Sequence, residues 1–574
     1  MKRLWNYFGM YKKRVILCFT ATFMESIFFL MIPTLMSRIF DIGLNNQDKP
    51  YIYQTGGIMI LCAVMAMIIG VYENYVSAIA SQGLGSNLRE ALFNKVMDFS
   101  SANTDQFTNS TLITRLNSDV NAVQTGAIQF MRMIFVGGWR IVIALILAVR
   151  INARLTLIIV GTIIIFLTFL MIAMRLVMPW FSVMQKQMDD LNKKTQDNTR
   201  AQRVVKAFVR REYEKEKFNK PNLRLTKILL KSNGIIMSIV PLSAVVMNGT
   251  IAAVLWFGGK QTGVGTMGFG ELNTFLSYAM QVCAAIGMVA VCAGQLGKAV
   301  AAARRVFEVL ETSPVIQNST KNTDLMIRSG EIQFRNVSFQ YTKKDPKKAL
   351  DKIDFAVPSG QFWAIIGSTG EGKSSLLSLI SRQYDTSSGT VSVGGYDVKD
   401  YSLETLREAV AYVPQNNVLF SGTIRENIRW GNPTASDDEI VSVCAVAQAH
   451  EFIMGFEKGY DTWIEQGGTN VSGGQRQRLC IARALAKKAN ILLLDDSTSA
   501  LDTTTEAKLL NCLRTDYKDT TVLLVAQKIS SVINADAILV LDKGEISGLG
   551  THEELLRNNK VYQEIYQSQI KEVA

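Results

Sequence analysis

A chain of 574 residues is long enough for more than one domain, and a hydrophobic fraction of 48% is high for a soluble protein. Charge is unevenly spread: residues 329–574 carry 26 Lys and Arg against 31 Asp and Glu, leaving 35 against 18 for the first 328 residues. A basic membrane half is what Lys- and Arg-rich cytoplasmic loops produce, so the net charge of +12 does not mark a nucleic-acid-binding protein.

The N-terminus, MKRLWNYFGMYKKR, is basic and leads into an apolar stretch too long for a cleaved signal peptide, so it reads as a cytoplasmic tail. Windows of about 20 apolar residues predict six membrane spans. They lie near 15–39, 56–80, 130–149, 155–178, 233–257 and 272–297. The short connections near 40–55, 150–154 and 258–271 would be external. The long charged ones near 81–129 and 179–232 would be cytoplasmic and helical. Seven basic residues between Arg200 and Lys217 put both termini in the cytoplasm, although Arg150 and Arg154 run against the rule. Glu25 falls inside the first span and Arg140 inside the third. Charges at that depth are costly, so they mark either a substrate pathway with an acid that attracts cations, or a structural Glu25–Arg140 pair. The seven cysteines (18, 62, 283, 292, 444, 480 and 512) lack CxxC or zinc spacing, which predicts buried, reduced thiols.

A helix, KAVAAARRVFEVLE, then gives way to the polar stretch SPVIQNSTKNTD, a domain boundary. The expected domains are 1–310 in the membrane, a linker at 311–328 and a soluble domain at 329–574. Strand patterns occupy 331–340 and 351–357. FWAIIGSTGEGKSS (362–375) is a phosphate-binding loop of the form G-x-x-x-x-G-K-[ST]. Glycines 367, 370 and 372 let the backbone curl, so that N–H groups from Gly367, Ser368, Thr369, Gly370, Glu371 and Gly372 can face phosphate oxygens. Lys373 can reach the β- and γ-phosphates, Ser374 can offer its hydroxyl to Mg²⁺, and Ser375 can donate to phosphate.

The ordered motifs after this loop resemble those of ATP-binding cassette (ABC) proteins. YVPQNNVLFSGTIRENI (412–428) is similar to the Q-loop, with Gln415 near Mg²⁺ and the attacking water. VSGGQRQR carries the signature tetrad Ser472, Gly473, Gly474 and Gln475. ILLLDD ends in Asp495, the Walker B carboxylate for Mg²⁺, and STSALD (497–502) resembles the D-loop. Tyr341 matches the position where the family stacks an aromatic ring on adenine. The two long loops, around 105–120 and 202–218, resemble those whose coupling helices touch the nucleotide-binding domains, with contacts expected near 103–112 and 209–216.

The resemblance implies an ABC exporter half-transporter: a six-helix transmembrane domain with long cytoplasmic extensions, then an α/β P-loop domain, in the cell membrane with both termini inside. It implies ATP and Mg²⁺ as cofactors, with membrane lipids and an amphipathic drug, lipid or peptide cargo as partners. Two positions depart from the family. Asp496 stands where a catalytic glutamate is usual, one methylene shorter, and a misplacement of about 1 Å can cost on the order of 100-fold. Gln527 stands where a switch histidine is usual, and glutamine can carry neither a proton nor a charge. His450 and His552, the chain's two histidines, lie in other stretches. The signature is whole apart from Val471, where leucine is frequent. This asymmetry implies slow hydrolysis at the chain's own site and a non-identical half-transporter partner whose catalytic site this signature completes. A homodimeric slow exporter and an ATP-switched regulatory membrane protein are the alternatives.

Overall fold

The computed structural model describes residues 2–318, 325–342 and 347–573. Part of the expected linker and most of the basic turn after Tyr341 thus lie outside the described residues. The chain divides into two compact units, one of residues 1–97 and 109–312, the other of 98–108 and 313–574.

The first unit is helical. Its principal helices are Lys12–Arg38, Lys49–Met97, Phe135–Ile151, Ala153–Arg200, Arg211–Gly263 and Phe269–Glu311, and the six expected spans fall on them. In lipid a backbone must satisfy its own polar groups, and an apolar helix does so throughout its length. Among the described residues, five stretches are long and apolar enough to cross a membrane: Gly9–Leu44, Lys49–Met97, Asn109–Ile151, Pro241–Gly263 and Phe269–Val289. A shorter apolar stretch, Ala153–Phe169, covers the start of the expected fourth span. The helix Lys49–Met97 has 49 residues. At 1.5 Å per residue it is about 74 Å long against a hydrocarbon core of about 30 Å, so one continuous helix is long enough for both a span and an extension beyond the bilayer. Leu30, Ala144, Ala148, Leu155, Ile159, Phe275 and Tyr278 share one buried core. Small residues at Ala144 and Ala148 let neighbouring helices approach closely.

The second unit is built on a six-stranded sheet, in the order Glu545–Gly550, Ala537–Asp542, Phe362–Ile366, Thr521–Val525, Ile491–Asp495, Val410–Val413. All neighbours are parallel except the first pair. Every residue of Phe362–Ile366, Ile491–Asp495 and Thr521–Val525 is buried. That explains why these strands read as continuous apolar runs and not as alternation. Each buried leucine of the run Leu492–Leu494 contributes about 1.5–3 kcal/mol. A second, antiparallel sheet joins Leu350–Val357, Ile332–Phe339, Ser388–Val393 and Tyr396–Asp397. All seven cysteines are free, six of them buried and Cys512 half-buried.

The segment 98–108 comes from the first long cytoplasmic connection yet packs in the second unit. Asn103 is the reason. Its Oδ1 accepts from the Ser100 N–H (3.2 Å), the Ser100 hydroxyl (2.7 Å) and the Val315 N–H (3.0 Å), and its Nδ2 donates to the Ser313 carbonyl at 3.2 Å. Asp105, in the same segment, accepts from the Tyr384 hydroxyl at 2.5 Å. Removing a side chain that satisfies backbone groups costs about 1–3 kcal/mol for each group left buried and unpaired, here the Ser100 N–H, and less at the exposed Ser313 and Val315. Asn103→Ala is therefore expected to raise hydrogen–deuterium exchange across 98–108 and 313–316 while the Ile491–Asp495 strand keeps its protection. Unchanged exchange there would show that other contacts hold the segment.

Candidate nucleotide site

The buried strand Phe362–Ile366 ends at Gly367, and the helix Lys373–Ile380 starts after a loop of six residues. Gly372 sits in the left-handed region at φ +93°, and a Cβ there would lie 2.4 Å from the Ala349 carbonyl oxygen. Neither the dihedral nor the space admits another residue. Lys373 turns back over the loop and donates to the carbonyls of Gly367 and Ser368, both at 2.7 Å. Burial holds its ammonium below the usual lysine range, opposed by the carboxylates of Asp496, Glu371 and Asp495. Ser368, Thr369 and Gly370 are exposed, so the loop's backbone is open to a ligand. Glu371 Oε2 is buried and has no hydrogen-bond partner among the described residues.

Two aspartates face this loop from the end of the strand Ile491–Asp495. Ser374 Oγ donates to Asp495 Oδ1 at 2.9 Å, and Tyr412 Oη donates to Asp495 Oδ2 at 3.0 Å. A hydroxyl and a carboxylate meeting in this way form the hard oxygen donor set that Mg²⁺ prefers. Asp496 adopts a left-handed backbone, φ +49°, which aspartate tolerates better than most residues. Its Oδ2 accepts from Gln527 Nε2 at 2.8 Å and from Gln415 Nε2 at 3.3 Å. Burial pushes both carboxyls above the usual aspartate range. Ser374 and Tyr412 oppose this at Asp495, and Gln415 and Gln527 oppose it at Asp496. Burial also raises Tyr412, which keeps its phenol protonated as a donor.

The structure thus brings Lys373, Ser374, Gln415, Asp495, Asp496 and Gln527 into one cluster. Tyr341 is tied to it through a 2.8 Å hydrogen bond between its hydroxyl and that of Ser375. The Tyr341 ring is 48% exposed and packs edge-on against Phe339 and Tyr384, which leaves a face for a planar base. The tetrad Ser472–Gln475 forms its own group. Ser472 caps the helix Gly473–Ala486: its Oγ accepts from the Gln475 N–H at 3.2 Å, and Gln475 Oε1 accepts from the Ser472 N–H at 2.9 Å. Ser472 and Gly473 are exposed, so this helix start is available to a ligand brought by another chain.

Sequence reasoning did not single out three residues that organise this site. Tyr412 stands three positions before Gln415 and could have been read with it. Gln477, two positions past the tetrad, is buried. Its Oε1 accepts from the Ala500 N–H at 2.9 Å and its Nε2 donates to Ser499 Oγ at 3.3 Å, linking the signature helix to the loop after the aspartates. Gln569, on the C-terminal helix Lys560–Val573, accepts from the Ile529 N–H at 2.8 Å and donates to the Gln527 carbonyl at 2.7 Å. It brackets the turn that carries Gln527, and nothing in its local sequence announces that.

Comparison with known proteins identifies the family and the fold. Residues 15–286 match the family model "ABC transporter transmembrane region", and residues 350–499 match the model "ABC transporter". The chain is 37% identical over 540 residues to the uncharacterized ABC transporter ATP-binding protein YfiB of Bacillus subtilis (strain 168), covering 94% of this chain and 93% of that protein. It is 36% identical over 388 residues to the ATP-dependent lipid A-core flippase of Syntrophus aciditrophicus (strain SB), covering 68% of this chain and 64% of that one. A solved structure of a bacterial Atm1-family ABC exporter with ATP bound superposes with a TM-score of 0.82 at 24% identity, over 97% of this chain and 98% of the other. The chain belongs to the ABC transporter family, with the exporter fold of a helical transmembrane domain followed by a P-loop nucleotide-binding domain.

Proposed function

We propose that this chain is one half of a heterodimeric, ATP-driven exporter of the cell membrane that moves amphipathic drugs, lipids or peptides out of the cytoplasm. A non-identical half-transporter, membrane lipids and the cargo are its partners. The observation that carries the asymmetric reading is at Asp496: a short carboxylate whose one oxygen receives two amide donors, Gln415 and Gln527. Both donors are neutral, so the Gln527 position can hold the carboxylate in place but cannot accept or release a proton.

The residues divide the work. The loop from Gly367 to Gly372 and Lys373 hold the β- and γ-phosphates, Ser375 donates to them, and the Tyr341 face carries the adenine. Ser374, Asp495 and, at the edge, Gln415 would hold Mg²⁺, which when bound neutralises charge on the phosphates. Asp496 is the group that would orient the attacking water. Its shorter reach, fixed by the two glutamines, favours holding the nucleotide over cleaving it. Ser472–Gln475 serve the ATP of the partner subunit. Closure of the paired cassettes would push the long cytoplasmic loops, where Phe208 and Val209 form an exposed apolar tip near the expected contact at 209–216. Likeness to the lipid A-core flippase of Syntrophus aciditrophicus supports lipid-like cargo.

Purified alone, the chain is expected to release phosphate from ATP slowly, and Asp496→Glu combined with Gln527→His to raise that rate by on the order of 100-fold. Fast, transport-coupled hydrolysis by the unaltered chain alone would remove the heterodimer reading. At Asp495, ionisation is the requirement for Mg²⁺, and burial raises this carboxyl. As pH falls, the Mg²⁺-dependent part of ATP affinity should be lost at a higher pH than an ordinary aspartate would give. Asp495→Asn should abolish that Mg²⁺-dependent part at every pH while leaving Mg²⁺-free nucleotide binding. Titration of a fluorescent ATP analogue with and without Mg²⁺ measures both; an unshifted profile would contradict the role of Asp495.

A further inference from the structure

Within the first unit, four charged side chains line one cavity of about 300 Å³: Glu25, Glu73, Arg132 and Arg140. They come from different elements. Glu25 lies on Lys12–Arg38, Glu73 on Lys49–Met97, Arg132 on a π-helical turn at Phe130–Ile134, and Arg140 on Phe135–Ile151. π-turns inside longer helices often occur at functional sites. Glu25 and Arg140 are already committed to each other, with Arg140 Nη2 donating to Glu25 Oε1 at 2.8 Å. The same guanidinium lies 4.2 Å over the Phe29 ring. This pair neutralises itself.

Glu73 is different. It is 5% exposed, and its Oε1 has no hydrogen-bond partner among the described residues. Glu25, 8% exposed, has its Oε2 in the same state, and so has Gln129 Oε1 on the cavity wall. Arg132 is exposed and forms no ion pair with Glu73 among the described residues. Three buried acceptor oxygens therefore belong to the lining of one cavity, beside one buried unmet donor, Arg140 Nε, and the exposed Arg132 guanidinium. Burying acceptors unpaired is costly, and ionisable groups at membrane depth persist where they serve a pathway or partner. A group with several N–H donors, no acceptor and a positive charge answers this set, and a primary ammonium is that group. Val136 and Met288, also on the wall, offer apolar surface for an attached hydrocarbon chain.

We propose that this cavity seats the primary ammonium of an amphipathic amine, with Glu73 as its counter-ion and Glu25 Oε2 and Gln129 Oε1 as further acceptors. The inference rests on the reading that this chain moves amphipathic cargo. The amine belongs either to a lipid headgroup or to a free amphiphile.

The test uses the full chain in phosphatidylcholine nanodiscs, with N-dansyl-1,8-diaminooctane as the ammonium probe and N-octyl-dansylamide as the neutral one. The unaltered protein should bind the ammonium probe about tenfold or more tightly than the neutral one. Glu73→Gln should remove this preference and leave neutral-probe binding and nucleotide binding unchanged. Glu73→Asp, which keeps the charge, should retain most of it, and Gln129→Leu should weaken it. If Glu73→Gln does not fold, the contrast between these last two variants decides. Competition by phosphatidylethanolamine in the nanodisc assigns the amine to a lipid headgroup, and its failure to compete assigns it to a free amphiphile. No preference in the unaltered protein, or a preference that survives Glu73→Gln, overturns the proposal. Transport is read in sealed vesicles that hold this chain together with its partner subunit. If ATP drives movement of the neutral probe there while Glu73→Gln changes nothing, the site falls and the exporter reading stands. If ammonium-selective binding is present but ATP moves neither probe in those vesicles, the site stands and the exporter reading falls.

Discussion

The 2.9 Å hydrogen bond from Ser374 to Asp495 joins the phosphate loop to the end of the interior strand Ile491–Asp495. Its position follows from burial. The strand Ile491–Asp495 lies between Thr521–Val525 and Val410–Val413, with every residue enclosed, so it cannot shift without exposing an apolar core. Two carboxyls are thereby delivered to a fixed place in a low-polarity setting. There, each must find donors, because an unpaired buried charge is far costlier than a paired one. Asp495 finds two hydroxyls and Asp496 two amides. The difference between these donor sets is chemical. Hydroxyl oxygens can be shared with a hard cation, while the glutamine N–H groups steady the carboxylate they touch.

Under the proposed unequal-site reading, that distinction is how a complete set of binding groups coexists with weak cleavage groups. Binding needs backbone N–H groups, Lys373 and a hydroxyl–carboxylate pair, all of which are present. Cleavage needs a water held within a few tenths of an ångström of an in-line position, and the proposed slow hydrolysis rests on the shorter carboxylate of Asp496 and on an amide, Gln527, that carries no proton. Gln569, bracketing the Gln527 turn, further fixes the arrangement.

Much of this was legible in the sequence because it depends on local spacing. The phosphate loop declares itself through Gly367, Gly372 and Lys373, whose roles are set by backbone curl within a few residues. The strands around it declare themselves as uninterrupted apolar runs. The long helices were legible as spans, since 20 apolar residues have few other uses. What escaped reading depends on partners far away in the chain. Asn103 is an ordinary asparagine until Ser313 and Val315 are brought to it. Gln477 and Gln569 carry no motif, and their importance lies in the backbone groups they satisfy. Glu25 and Arg140 could be read as a pair or a pathway, and the ion pair between them is plain only in three dimensions. Glu73 was not singled out, although it falls inside the expected second span at 56–80 as Glu25 falls inside the first; its unmet oxygen is plain only in three dimensions.

The most direct test of the unequal-site account is the chemical state of the nucleotide held by this chain during turnover. The assembled transporter would be mixed with α-labelled 8-azido-ATP and Mg²⁺, flashed with ultraviolet light in the steady state, and its two subunits separated. The account predicts that label crosslinked to this chain is predominantly the triphosphate, while label on the partner subunit is predominantly the diphosphate. Equal diphosphate content on both chains would contradict it.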